Sequence, residues 1–364
     1  MSTITESAVL EALRSVKDPD LHRDIVELGF VKDIKICGGN IAFTIELTTP
    51  ACPVKKMMED EAKISVMKIP GVDTVNINMT AQVRATFQNK ELLKNVKNLI
   101  AVGSGKGGVG KSTVASAIAV ALAKEGAKVG LMDLDVWGPN IPLMMGIKST
   151  VKVLDGKILP IEKYGVKVMS IGFFLKDNEP VIWRGPMVHG LIRQFAQDVI
   201  WGDLDYMICD LPPGTGDVQI SLCQSIPPTG AVIVSTPQDV ALLDASKAIA
   251  MFRKVNTPIL GIIENMSYYE CPKCSNRAEL FGYGGAETAA KSSGVPFLGR
   301  IPIDVDIRIG GDSGEPISIK KPNSIASETL LGVARNLAAQ ISIANIEKRN
   351  EPVIDIPVSW GGSK

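Results

Sequence analysis

The most constraining stretch of this 364-residue chain is Gly105-Lys106-Gly107-Gly108-Val109-Gly110-Lys111-Ser112-Thr113. An apolar run, Leu99-Ile100-Ala101-Val102, leads into it, and an Ala-rich segment over 111–125 follows with helical character. A buried strand, a glycine-rich turn and a helix, in that order, make a phosphate-binding loop. The glycines let backbone N–H groups face inward, and the helix start adds positive potential at the same place. A loop of this kind works at the carboxyl ends of parallel strands, so it narrows the fold as well as the ligand.

The chain after residue 97 agrees with that fold. Apolar strands are expected at 129–132, 166–171, 206–209, 231–235, 259–263 and 296–301, with helical segments between most of them. This alternation predicts an α/β domain over 98–347, a mostly parallel P-loop NTPase sheet with helices on both faces. Ahead of it the pattern changes to a small α+β domain over 1–88. A helix is expected over 5–17, strands over 31–36 and 41–47 around Gly38-Gly39-Asn40, a helix over 53–67 opened by Pro53, and a strand over 72–78. The polar stretch 89–97 reads as a linker and 348–364 as a tail.

Charge and cysteine usage exclude several functions. Lys plus Arg and Asp plus Glu each total 39, so the basic excess of a nucleic-acid binder is missing and no nucleic-acid partner is expected. No apolar run is long enough to span a bilayer, and the N-terminus lacks a signal-peptide pattern. A cytoplasmic protein without a membrane partner follows. With only His22 and His189 in the chain, a His-rich metal site and a Ser-His-Asp hydrolase are both disfavoured.

The phosphate loop assigns roles to its neighbours. The backbone of Gly105, Gly107, Gly108, Val109, Gly110, Lys111, Ser112 and Thr113 would cradle ATP phosphates, Lys111 would reach the β/γ-phosphates, and Ser112 would ligate Mg²⁺. Asp133 and Asp210 each follow an apolar strand, as an acid that holds Mg²⁺ should, and Asp135 lies two residues beyond Asp133. Each of these could instead be an ordinary turn-forming Asp.

Cys271-Pro272-Lys273-Cys274 is the second chemical feature. Two thiolates at this spacing suit Zn²⁺ or one edge of an iron–sulfur cluster. One pair cannot fill a four-thiolate site, and the chain has no second CxxC. Either remote cysteines complete it or two chains contribute two thiolates each. Cys209 and Cys223 read as core residues. Cys52, at the entrance to a helix, is a site where a thiolate would be stabilised.

With Lys106 placed early in the loop, the sequence resembles the deviant Walker A ATPases, the class of MinD, ParA and the nitrogenase iron protein. The segments Trp183-Arg184-Gly185-Pro186-Met187, Asp210-Leu211-Pro212-Pro213-Gly214-Thr215-Gly216-Asp217, Glu264-Asn265-Met266-Ser267, the cysteine pair and Phe297-Leu298-Gly299-Arg300-Ile301-Pro302 narrow it. Together they resemble the Mrp/ApbC branch, over about 98–320. Residues 1–88 resemble the iron–sulfur-assembly domain often fused ahead of it.

The resemblance implies a homodimer in which Lys106 reaches the partner's nucleotide, Asp133 and Asp135 serve Mg²⁺ and the attacking water, and Asn265 reads adenine. It implies that Cys271 and Cys274 of two chains bridge a [4Fe–4S] cluster, passed to apo iron–sulfur proteins and exchanged with scaffold proteins. Ser275 departs from it, since many relatives carry Gly there. The competing reading is a MinD/ParA-like spatial organiser with a structural Zn²⁺ at the pair. The non-basic segment Glu351-Pro352-Val353-Ile354-Asp355-Ile356-Pro357 speaks against a membrane-binding helix.

Overall fold

The computed structural model describes residues 4–85, 92–175 and 185–350. Most of the expected tail, residues 89–91 of the linker, and Trp183 and Arg184 lie outside them; residues 348–350 instead continue the helix Ile325–Asn350.

Eight strands form the large sheet, in the spatial order Ile161–Lys163, Val166–Ser170, Val129–Asp133, Leu204–Asp210, Val96–Gly103, Gly230–Ser235, Ile259–Glu264 and Phe297–Arg300. All neighbours are parallel except the first pair, where Ile161–Lys163 runs antiparallel along the edge. The central strands are buried along nearly their whole length. This is why they read as continuous apolar runs, with helices covering both faces. One core packs helices Lys111–Lys124 and Ile325–Asn350 on one face; a second packs Gly185–Gln197, Asp217–Ser225 and Asp239–Lys254 on the other. In the first of these helices everything from Val114 to Leu122 is buried, and its alanines let the sheet and the C-terminal helix approach closely.

The N-terminal unit is a three-stranded sheet, Val31–Cys37, Asn40–Leu47 and Thr74–Ala81, backed by helices Glu6–Leu13 and Lys55–Met67. Its middle strand alternates, with Ile41, Phe43, Ile45 and Leu47 buried against Val9, Leu13, Met58 and Ala62. Pro53 precedes its helix, which starts at Lys55, so the proline shapes the approach and not the first turn. The expected linker is also shorter on its far side. Leu92 and Leu93 are buried in the second core and the phosphate-loop strand begins at Val96, because two adjacent leucines gain more from the core than from water.

The N-terminal unit docks at the amino ends of the parallel strands. The Tyr206 hydroxyl lies 3.0 Å from Thr49 Oγ1, buried, and Ala51 and Val83 enter the first core. Asn98 and Asn345 both donate to the Arg84 carbonyl. Cys52 therefore sits at the opposite end of the sheet from the strand ends where the phosphate loop lies.

Candidate functional site

The phosphate loop follows the carboxyl end of Val96–Gly103, and helix Lys111–Lys124 starts at its last residues. Two of its glycines are demanded by the fold itself. A Cβ on Gly105 would run into the backbone of Asp244 and Ala245, where helix Asp239–Lys254 crosses the loop. Gly110 has φ +81°, and a Cβ there would collide with the Asn265 amide.

Lys111, only 6% exposed, places Nζ 2.6 Å from Asp210 Oδ1, 3.4 Å from Asp135 Oδ2 and 3.2 Å from Ser112 Oγ. The sheet register explains the convergence: Ser170, Asp133 and Asp210 form one row across three neighbouring strand ends. Asp133 stands behind Asp135. Its Oδ1 accepts from the Asp135 N–H at 3.1 Å and its Oδ2 from the Ser170 hydroxyl at 2.7 Å. Burial, with Asp210 next, pushes its carboxyl up to about 8. Asp210 is also raised by burial, against the opposing pull of Lys111.

Asp210 Oδ2 is buried with no hydrogen-bond partner. An unused oxygen on a carboxylate whose side chain neighbours Ser112 fits a hard divalent cation. Among the described residues no three His, Cys, Asp or Glu side chains converge on one metal position. The remaining ligands of Mg²⁺ here would be phosphate oxygens and water, its usual habit.

Several residues that shape the site carry no signal in the sequence. Ser104 donates from Oγ to the Lys106 carbonyl, and its own carbonyl accepts from Gly214 N–H at 2.8 Å. Gln219, buried, donates to the carbonyls of Pro212 at 2.6 Å and Gly214 at 3.0 Å. The loop after Asp210 is thus braced from beneath and hooked to the phosphate loop. The Lys106 ammonium makes no hydrogen bond or ion pair among the described residues.

Asn265 lies just past the strand Ile259–Glu264. Its Nδ2 donates to the Val109 carbonyl at 2.8 Å, within the phosphate loop. Its neighbour Glu264 is fully buried and accepts from Ser267 Oγ at 2.5 Å, Gly284 N at 3.2 Å and Ala286 N at 2.8 Å. One strand end therefore touches both the phosphate loop and the segment returning from the cysteine pair.

The cysteine pair sits in the turn of a small ribbon, Tyr269–Glu270 against Arg277–Ala278. The Cys271 N–H donates to the Asn276 carbonyl at 2.9 Å, and the Ser275 N–H to the Cys271 carbonyl at 2.8 Å. The backbone N–H groups of Lys273 and Cys274 turn onto the Cys271 sulfur and hold its pKa below the usual thiol value. Ser275 has φ +54°, a left-handed position that glycine would occupy without strain. Cys274 is exposed and Cys271 half-buried.

Cys52 contradicts expectation. Burial, with smaller contributions from Asp18 and Asp20, pushes its thiol up to about 11, against the opposing pull of the Val54 backbone and the Lys55 charge. Proximity to a helix start does not outweigh desolvation there. Cys209 and Cys223 are buried and their thiols raised by burial, as core residues should be.

Residues 95–338 match the ParA-type family described as NUBPL iron-transfer P-loop NTPase, and residues 6–78 match the iron–sulfur cluster assembly protein family. An iron–sulfur cluster carrier protein of Synechocystis is 46% identical over 349 residues, covering 94% of this chain and 99% of its own length. The iron–sulfur cluster transfer protein NUBPL of Dictyostelium discoideum is 46% identical over 72% of this chain and 82% of its own. Among solved structures, a nucleotide-binding protein of Archaeoglobus fulgidus in complex with ADP is 44% identical. It aligns with a TM-score of 0.58 over 65% of this chain and 92% of that one. The Pyrococcus furiosus cell division ATPase MinD, 24% identical with a TM-score of 0.51, shares the fold over 66% of this chain and 98% of its own. The protein is a P-loop NTPase with a MinD/ParA-like sheet. It belongs to the NUBPL iron-transfer family, with an iron–sulfur-assembly domain ahead of the NTPase. Among the described residues no helix is long and apolar enough to cross a membrane.

Proposed function

We propose that the protein is an ATP-hydrolysing iron–sulfur cluster carrier whose homodimer holds a bridging [4Fe–4S] cluster and passes it to apo-proteins. The observation that carries this reading is the pair Cys271 and Cys274, two accessible thiols on a preshaped turn with no third ligand among the described residues. A four-thiolate centre then requires a second chain, which a twofold dimer supplies. The names of the relatives support cluster transfer. The unpaired ammonium of Lys106 supports a nucleotide site shared between chains.

On this reading the loop N–H groups and Lys111 hold the phosphates of ATP. Ser112 and Asp210 would hold Mg²⁺, which would supply charge neutralisation for the phosphates. Asp135 orients the attacking water, and Asp133 keeps the Asp135 backbone in place. No strong base stands free in the site, so hydrolysis depends on positioning and charge and is slow. Asn265 and Glu264 link the phosphate loop to the cysteine ribbon, a path by which nucleotide occupancy can set cluster retention.

Anaerobic reconstitution of the full chain tests the assignment. Wild type should bind iron and sulfide in equal amounts, with the visible absorbance of a [4Fe–4S] centre, and Cys271→Ala/Cys274→Ala should bind neither. Equal iron and sulfide in both proteins, or zinc alone in the wild type, rejects the carrier reading.

A further inference from the structure

The cysteine ribbon is fastened by side chains that phosphate chemistry does not require. Glu270 pairs with Arg277 across the ribbon, which puts the Arg277 backbone beside the strand position that precedes Cys271. The Arg277 guanidinium lies 3.7 Å from the ring centroid of Tyr268 and 4.7 Å from that of Tyr283. One ring precedes the cysteines and the other follows them, so a single side chain clasps both arms. Tyr283 is also met by Arg300, 4.5 Å from its centroid. Arg300 in turn pairs with Glu287 and lies 3.6 Å from Glu264, which anchors the stack to the sheet.

Charge gives the stack a second consequence. Arg277 has no carboxylate partner among the described residues, and neither does Lys273 between the two cysteines. An arginine held by ring faces stays fully charged while its planar group is fixed in place. A metal or cluster bound by four thiolates is net anionic, and its reduction potential responds to nearby charge.

We infer that Arg277 is a positioning residue for the cargo: stacked on Tyr268 and Tyr283, it locks the turn presenting Cys271 and Cys274 and holds permanent positive charge beside the metal–thiolate centre. This rests on the carrier reading. In a twofold dimer both ribbons contribute, so each centre is flanked by two such arginines. Iron leaves slowly because the turn cannot splay and the anionic centre is partly neutralised. Positive charge favours the reduced form, so it also raises the potential.

The test compares reconstituted full-length proteins by two readouts, the rate of iron transfer to a ferrous chelator and the midpoint potential. Arg277→Gln removes charge and stack, and should release iron at least ~10-fold faster with a more negative potential. Arg277→Lys keeps the charge without the flat stacking group, so it should speed release while leaving the potential near the wild-type value. Tyr283→Leu should behave like Arg277→Lys. Unchanged melting of the cluster-free variants shows that the fold is intact. Wild-type release and potential in Arg277→Gln overturn this inference alone, if the cluster is still lost in Cys271→Ala/Cys274→Ala. Equal iron in that double variant overturns the carrier reading itself.

Discussion

The phosphate loop and the cysteine ribbon sit at the same end of the sheet but are built on opposite plans. The phosphate site is buried, with Lys111 6% exposed and Asp210 fully enclosed. The cysteine site opens to solvent at Cys274 and is shaped by backbone N–H groups, and on the proposed reading it supplies half of a four-ligand centre. The difference suits the two tasks. Charge stabilisation of phosphoryl transfer gains strength where water is excluded, whereas a cargo must be reachable by the protein that takes it.

The largest effect that sharpens this contrast is on hydrolysis. Lys111→Ala should lower the rate of phosphate release by about 10²-fold or more. Cys271→Ala/Cys274→Ala should leave ATP binding unchanged when measured by calorimetry. A double cysteine variant that lost ATP affinity would show the two sites to be one structural unit.

Next comes packing. Gly105→Ala should destabilise the chain by about 2 kcal/mol in chemical unfolding, because the clash is with helix backbone and neither partner can step aside. Gly107→Ala, whose Cβ has only Pro213 at 3.9 Å, should stay within about 0.5 kcal/mol of wild type. If both cost the same, Gly105 serves the phosphate loop alone.

Acidity separates the cysteines themselves. The Cys271 pKa is lowered and that of Cys52 is raised to about 11. As pH rises from 6, Cys271 should become a thiolate first, so iodoacetamide labelling followed by mass spectrometry should modify it at lower pH. Cys52 should lag until pH approaches its own value. Labelling in the reverse order would contradict the assigned environments. The smallest effect is local: Ser275→Gly should stabilise the ribbon by about 0.5 kcal/mol, since glycine accepts φ +54° without strain. The check is slower hydrogen exchange at the Cys271 and Ser275 amides.

The parallel sheet was legible because strands buried on both faces are written as unbroken apolar runs, and the phosphate loop because its glycines fall at fixed spacing. The edge strand Ile161–Lys163 and the ribbon Tyr269–Glu270 with Arg277–Ala278 were not. They are two or three residues long, and only pairing with a neighbour makes them strands. Ser170 and Gln219 act on the site through contacts made by folding, so nothing local marks them. Cys52 misled because a helix start is visible in sequence while burial of the thiol is not.

The central claim is that two chains share one cluster at Cys271 and Cys274. Anaerobic sedimentation velocity of the reconstituted protein, followed at a cluster absorption band and in the ultraviolet, tests it most directly. The account predicts that cluster absorbance travels only with the dimer, at one cluster per two chains, and disappears in Cys271→Ala/Cys274→Ala. Cluster absorbance that sediments with the monomer, or that survives in the double variant, would contradict it.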